Sequence, residues 1–140
     1  MPPLTSEPQG GSPSVVLVVE DSQLILMTAL DLVRSNGFEG VGAASADEAI
    51  AILEARSDIR LVFTDVEMPG TIDGLKLAHY IRDRWPPIHL MVASGTSILE
   101  ESQLPSGSSF FSKPYDNNRI VEEMTRLLAV IDADESALKT

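Results

Sequence analysis

Five polar side chains, each at the end of an apolar run, have the types needed for chemistry on a phosphoryl group. They are Glu20, Asp21, Asp65, Ser94 and Lys113. Crowded carboxylates repel one another unless a cation intervenes, and oxygen ligands of this kind suit Mg²⁺. A carboxylate near such a metal can act as a nucleophile toward phosphorus and form an acyl phosphate. The metal and a lysine ammonium would neutralise the charge during transfer, and a serine hydroxyl could then donate to a phosphoryl oxygen.

The elements that must position these residues can be read from the apolar runs. The continuous, mostly β-branched run Val15–Val19 is typical of a strand buried on both faces of a sheet. Between such runs, apolar residues recur at helical spacing, so strands and helices alternate along the chain. Five successive strand–helix units predict an α/β fold, in which helices cover both faces of a parallel sheet. The predicted strands lie at 15–19, 39–43, 60–64, 88–93 and 109–111.

The order of the elements brings the five polar residues to one edge of the predicted sheet. The first strand is followed by Glu20 and Asp21, the third by Asp65, the fourth by Ser94 and the fifth by Lys113. Doubly wound sheets bind ligands at the carboxyl ends of their strands, beside a switch in strand order. We therefore expect three carboxylates, one hydroxyl and one ammonium to converge there.

Composition sets the predicted domain boundaries. Residues 1–14 are rich in Pro, Gly and Ser and cannot bury enough apolar surface to offset their ordering entropy, which predicts a disordered lead. Residues 15–131 are predicted to form one folded domain, and residues 132–140 a short polar tail. Within the domain, the helical pattern at 97–103 is weak and is cut by Pro105.

Charge and composition exclude several classes of function. The formal net charge of −11 repels nucleic-acid backbones and anionic lipid, so we expect neither a nucleic-acid nor a membrane partner. The acid excess serves either solubility or, in part, a cation site. With no cysteine there is no disulfide and no thiolate metal site. No apolar run approaches the roughly 18 residues of a membrane span, and the first residues lack the pattern of a secretory signal, so a cytoplasmic location is expected.

Five short motifs, in order, resemble the receiver domain of two-component response regulators. They are Val18-Val19-Glu20-Asp21, Thr64-Asp65-Val66-Glu67-Met68-Pro69, Asp73-Gly74, Ala93-Ser94-Gly95 and Phe111-Ser112-Lys113-Pro114-Tyr115. The resemblance covers residues 15–131. It implies a flavodoxin-like (βα)5 fold with strand order 2-1-3-4-5, which is a property of that family and does not follow from the residue pattern.

The resemblance also implies a role for each acid of the site. Asp65 would be the phosphoacceptor. Asp21 and Asp65 would bind Mg²⁺, or Mn²⁺ as an alternative ion, with Glu20 assisting through water. The backbone carbonyl of Glu67 would supply a further metal ligand.

Three further residues receive roles from the same resemblance. Lys113 would pair with the acids and then with the phosphoryl group, and Ser94 would be the switch hydroxyl. Phe110 matches the aromatic switch position, although its place in a short apolar run favours an ordinary core role.

The function implied is that of a stand-alone response regulator. The chain would accept a phosphoryl group from the phosphohistidine of a sensor histidine kinase or of a histidine phosphotransfer protein. It would signal by conformational change and by binding an unknown downstream protein, or act as a phosphate sink. No output domain is expected after residue 131, and no enzyme activity beyond self-catalysed phosphorylation and dephosphorylation.

Two other interpretations remain open from the residues. The first is a Mg²⁺-dependent phosphatase that forms an aspartyl phosphate; such enzymes usually carry a second Asp two residues after the nucleophile, where this chain has Glu67. The second is a receiver-like module that binds a partner without being phosphorylated. The Glu67 side chain itself could compete for the metal, guide the attacking water or simply face solvent.

Overall fold

A five-stranded parallel sheet forms the centre of the protein. The computed structural model describes residues 13–68, 73–95 and 101–139, and the side chains of these residues except 101 and 130–139. The strands are β1 (Val15–Val19), β2 (Glu39–Ala43), β3 (Ile59–Asp65), β4 (His89–Ser94) and β5 (Ser109–Ser112). The helices are α1 (Gln23–Ser35), α2 (Ala46–Ala55), α3 (Gly74–Arg84) and α4 (Asn117–Lys139).

The strand order is β2-β1-β3-β4-β5 with every pairing parallel, which confirms the predicted topology. Every residue of β1 is buried, as expected for a central strand. Alternate β1 side chains point to opposite faces of the sheet. Leu17 and Val19 belong to the core that α2 and α3 cover, whereas Val16 and Val18 belong to the core under α1 and α4.

Two helix N-termini are fixed close to the predicted site. The hydroxyl of Ser22 accepts a hydrogen bond from the N–H of Ile25 at 3.4 Å and caps α1. The carboxylate of Asp73 accepts from the N–H of Lys76 at 2.9 Å and caps α3. Such caps satisfy N–H groups that the helix itself leaves unpaired, and they fix where each helix begins.

The region between β4 and β5 departs from a regular βα unit. Of the helix predicted at 97–103, the structure describes only a 3₁₀ turn at Glu101–Gln103, and residues 96–100 lie outside the described part. The described residues therefore contain four α-helices rather than five. Pro105, which cannot continue a helix, follows soon after this turn.

Two side chains of α3 hold the connection between β4 and β5. His79 Nε2 lies 2.7 Å from the carbonyl oxygen of Gln103. The Arg82 guanidinium donates to the carbonyls of Ser106 at 3.0 Å, Pro86 at 2.7 Å and Ile88 at 2.8 Å. Partial burial lowers the pKa of Arg82 from its usual value. Arg82 thus joins the end of α3 to the chain that leads into β5.

The predicted domain boundaries can be compared with the structure at both ends of the described chain. α4 continues to Lys139, past the predicted end of the domain at 131, so the backbone of the predicted polar tail is helical as far as that residue. The reason is composition: Ala, Glu, Leu and Lys are strong helix formers even where a segment lacks an apolar face. The predicted disordered lead, apart from residues 13 and 14, lies outside the described residues.

Candidate functional site

Parallel register brings the sequence-predicted residues to one edge of the sheet. Val19 pairs with Thr64, Asp65 with Ala93, and Ser94 with Ser112. The strands therefore end side by side, and the residues that terminate them become neighbours in space. This is the edge at which doubly wound folds bind their ligands.

Lys113 lies within the group of acids. Its Nζ is 3.0 Å from Asp65 Oδ2 and 3.9 Å from Glu20 Oε1. Both acids are buried, whereas Lys113 is only partly buried. Partial burial alone would lower the pKa of Lys113, but the hydrogen bond and charge of Asp65, with the charge of Glu20, raise it above its usual value. The lysine is therefore a fixed positive charge beside the two carboxylates.

The three predicted metal-binding acids form one cluster. Glu20, Asp21 and Asp65 each offer a carboxylate oxygen, and these atoms lie within 4.8 Å of one another. Glu20 and Asp65 are buried and Asp21 is exposed, so the cluster opens toward solvent on one side. Among the described residues, Asp65 Oδ1 is buried and has no hydrogen-bond partner. A cluster of three carboxylates offers the oxygen donors that a hard divalent cation prefers.

The electrostatics of Glu20 show how far Lys113 compensates the buried acids. Burial, assisted by the charge of Asp65, raises the pKa of Glu20 to about 7, although the Ser22 N–H and the charge of Lys113 act in the opposite direction. The Ser22 N–H donates to Glu20 Oε2 at 3.0 Å. A single lysine therefore does not fully compensate the buried acids, and a bound cation would favour their ionised forms.

The side chain of Glu67 occupies a position that the sequence did not predict. Glu67 Oε2 accepts a hydrogen bond from the Ser94 hydroxyl at 2.5 Å, and Oε1 accepts from the Gly95 N–H at 2.9 Å. The interpretation of Glu67 as a solvent-facing acid is therefore wrong. Its two-residue spacing from Asp65 was visible in the sequence, but the contact depends on the path of the chain after β3.

Gly74 explains the Asp73-Gly74 motif through a close backbone approach. A Cβ placed on Gly74 would lie 1.8 Å from the carbonyl oxygen of Asp65, far inside van der Waals contact. The N–H of Gly74 donates to the carbonyl of Val66 at 3.0 Å. Only glycine allows α3 to begin directly against the backbone of the central acid.

Two aromatic residues lie on β5 and just after it. Phe110 is partly buried and packs against the core beneath α2 and α3, so its observed role is packing. Tyr115 ends the last sequence motif but received no role there; its ring centroid lies 5.8 Å from that of Phe63, and both line the pocket that contains Asp65 and Lys113. Burial raises the pKa of Tyr115 above its usual value.

The N-terminal half of α1 exposes apolar side chains beside the pocket. Leu24 is 74%, Met27 59% and Ile25 42% exposed. Ile25 also lines the pocket of Asp65 and Lys113. Large apolar side chains grouped on a helix surface often mark a place where another protein binds.

Comparison with known proteins gives consistent matches. Residues 16–125 match the family model described as the response regulator receiver domain. The chain is 33% identical over 114 residues to response regulator protein FleR of Pseudomonas aeruginosa, covering 79% of this chain and 24% of that protein. It is 30% identical over 120 residues to transcriptional regulatory protein PdtaR of Mycobacterium tuberculosis, covering 84% of this chain and 58% of that protein. The chain thus spans about a quarter of the first relative and somewhat more than half of the second.

Solved structures share the fold. A CheY-like response regulator receiver domain protein from Methanospirillum hungatei superposes with a TM-score of 0.80 at 24% identity, covering 88% of this chain and 99% of that one. Within the part of the chain that the structure describes, no helix combines the length and apolar character needed to cross a membrane.

Proposed function

Because the chain belongs to the response regulator receiver domains of two-component systems, we propose that Asp65 accepts a phosphoryl group from a phosphohistidine. The observation that carries the proposal is the state of the two Asp65 oxygens. Oδ2 is bound by Lys113 at 3.0 Å, whereas Oδ1 is buried without a hydrogen-bond partner among the described residues. One oxygen is thus held in place and the other is left as the nucleophile.

The transfer is a displacement at phosphorus. Asp65 Oδ1 attacks the phosphorus of the phosphohistidine, a P–O bond forms and the P–N bond breaks. The imidazole nitrogen leaves with the electron pair of the broken bond. Lys113 stays within reach of the phosphoryl oxygens and offsets the charge they carry.

Glu20, Asp21 and Asp65 are proposed to hold Mg²⁺, or Mn²⁺ as an alternative, with the backbone carbonyl of Glu67 as a further ligand. The mutual distance of 4.8 Å or less between the three acids and the burial of two of them support this assignment. When bound, the ion supplies charge neutralisation to the transferring group.

Ser94 and Phe110 are proposed to convert phosphorylation into a change of shape. Ser94 ends the strand next to Asp65 and is buried, so its hydroxyl can reach a phosphoryl oxygen after a small movement. The new charge of roughly −1.5 to −2 then biases two conformations that a downstream protein distinguishes. Phe110 would move with β5.

The phosphodonor is proposed to be a sensor histidine kinase or a histidine phosphotransfer protein that docks on α1. The exposed Leu24 and Met27 support this docking surface, because they lie on the helix whose Ile25 borders the Asp65 pocket. A donor seated there would bring its histidine to the open side of the pocket. A cytoplasmic location and signalling without enzyme activity belong to the same proposal.

Intact-mass spectrometry after incubation with Mg²⁺ and acetyl phosphate tests the phosphoacceptor. We expect one added phosphoryl group in the wild type, its loss on treatment with hydroxylamine, and none in Asp65→Asn. Asp47→Asn, at an exposed position of α2, is the matched control and should be phosphorylated normally.

The other interpretations give different results in the same experiment. Steady release of inorganic phosphate from a small phosphomonoester without an accumulating adduct would identify a phosphatase. Absence of both an adduct and phosphate release would favour a binding module that is never phosphorylated.

A further inference from the structure

The side chain of Glu67 holds two hydrogen-bond donors at the end of β4. One carboxylate oxygen accepts from the Ser94 hydroxyl at 2.5 Å and the other from the Gly95 N–H at 2.9 Å. An ionised acceptor strengthens hydrogen bonds of this kind, and two such bonds fix the orientation of the carboxylate. We call this pair of hydrogen bonds the Glu67 clasp.

The clasp binds the Ser94 hydroxyl, which under the proposed function donates a hydrogen bond to the phosphoryl group on Asp65. A serine hydroxyl carries one proton to donate, and so does a backbone amide. Ser94 is 2% exposed, so water has little access to replace one acceptor by another. A phosphoryl oxygen on Asp65 can therefore accept from Ser94 only if Glu67 gives up that hydrogen bond.

The strand register places the two acceptors in competition. Asp65 lies opposite Ala93, and the N–H of Val66 donates to the carbonyl of Ala93 at 2.8 Å, so Asp65 and Ser94 end neighbouring strands. Glu67 follows Asp65 by two residues on the same strand exit. A phosphoryl group brings roughly −1.5 to −2 charge to a position near this carboxylate, and like charges repel.

We propose that Glu67 is a positioning residue that keeps Ser94 and Gly95 in the unphosphorylated arrangement, and that phosphorylation of Asp65 replaces its carboxylate by the phosphoryl group as their acceptor. This inference rests on the proposed function, because the clasp matters for signalling only if Asp65 is phosphorylated. The free energy of the clasp opposes the switch. Glu67 therefore sets how fully the phosphorylated protein adopts the signalling arrangement.

A double-mutant cycle on the affinity for beryllofluoride, a non-covalent mimic of the phosphoryl group, tests the clasp. With Mg²⁺ present, Glu67→Gln is expected to raise this affinity about 10-fold, equivalent to about 1.4 kcal/mol, because glutamine keeps only one acceptor oxygen. In a Ser94→Ala background, the same substitution should change the affinity less than about 3-fold, because the hydroxyl that Glu67 withholds is gone.

Glu54→Gln is the matched control for charge. It removes the same charge from α2, where the carboxylate faces Arg84 at 3.6 Å, and it should leave the affinity for beryllofluoride unchanged. The amide proton of Gly95 gives a second readout by NMR. In Glu67→Gln without the mimic, its signal should move toward the position that it has in the wild-type complex with beryllofluoride, and in Glu54→Gln it should not move.

The outcomes separate the clasp from the function on which it rests. An equal gain of affinity in the wild-type and Ser94→Ala backgrounds, or an unmoved Gly95 signal, would mean that Glu67 acts only through its charge, and would overturn the clasp while leaving the phosphoacceptor in place. A wild type that neither binds beryllofluoride nor gains a phosphoryl mass on Asp65 would overturn both.

Discussion

Replacing Glu20 by Gln is expected to stabilise the metal-free protein at alkaline pH and to have little effect at acid pH. The carboxyl of Glu20 is buried beside Asp65 and has only Lys113, at 3.9 Å, as a nearby opposite charge among the described residues. Its ionised form is therefore disfavoured in the folded state. Glutamine has a similar shape but never carries the charge, so the substitution isolates the cost of ionisation.

The magnitude follows from the pKa of Glu20 in the two states. The folded protein holds this pKa at about 7, against 4.5 for an exposed glutamate. The folded state thus binds more protons between these values, so the free energy of unfolding falls as pH rises. The contribution is fully present below pH 4.5 and lost once pH exceeds about 7. From about pH 5 to about pH 8.5 the loss amounts to about 2–3 kcal/mol.

Urea denaturation of the wild type and Glu20→Gln across this pH range, in EDTA, measures the effect. The difference in free energy of unfolding should grow with pH by about 2–3 kcal/mol, which corresponds to roughly 1 M in the urea midpoint. The free energy of unfolding is compared between the two proteins because the contributions of other titrating groups are the same in both and cancel. Parallel pH profiles would refute the account, since Glu20 would then be ionised at no cost. Added Mg²⁺ should stabilise the wild type more than the variant at about pH 8.5.

Three further expectations concern other parts of the molecule. Gly74→Ala should lower the free energy of unfolding by about 1–3 kcal/mol, because its Cβ would overlap the Asp65 carbonyl; urea denaturation measures this. Leu24→Glu combined with Met27→Glu should slow phosphotransfer from a donor protein at least about 10-fold but leave labelling by acetyl phosphate unchanged, since only the docking surface is altered. Arg82→Leu should destabilise the protein by about 1–3 kcal/mol, because three carbonyls lose their charged donor, and hydrogen exchange at the Ser108 amide should accelerate.

Each of these expectations has a control and a contradicting result. Gly107→Ala is the control for Gly74→Ala. Gly107 has a φ of 79° and no atom closer than 3.9 Å to an added Cβ, so this variant shows the cost of backbone strain without steric overlap. Slower labelling by acetyl phosphate in the α1 double variant would show that the pocket itself had changed. Unchanged exchange at Ser108 in Arg82→Leu would mean that the connection before β5 is held by other contacts.

The strand ends were predictable from the sequence because each apolar run stops abruptly at a polar residue. Glu20, Asp65 and Lys113 come together as expected, since parallel register alone brings successive strand ends into line. In these cases the information lies within a few residues of the feature.

The features that sequence reasoning missed depend on contacts between distant segments. The hydrogen bond between Glu67 and Ser94 depends on the path that the chain takes after β3, and no local sequence pattern predicts that path. The steric overlap that excludes a side chain at Gly74 depends on how closely the start of α3 packs against the backbone of Asp65. The extent of α4 was underestimated for a different reason: a polar segment without an apolar stripe still contains strong helix formers.

The contact between Gly74 and the Asp65 backbone also has a consequence for the accuracy of the reaction. Attack on phosphorus requires close alignment of the reacting atoms, and a misplacement of about 1 Å can lower a rate roughly 100-fold. Because α3 begins against the carbonyl of Asp65, the proposed nucleophile, any tilt of this helix would displace that residue without a side chain between them to absorb the movement. The outer surface of α3 is therefore a remote position from which a bound partner could retune the rate of phosphorylation without entering the pocket.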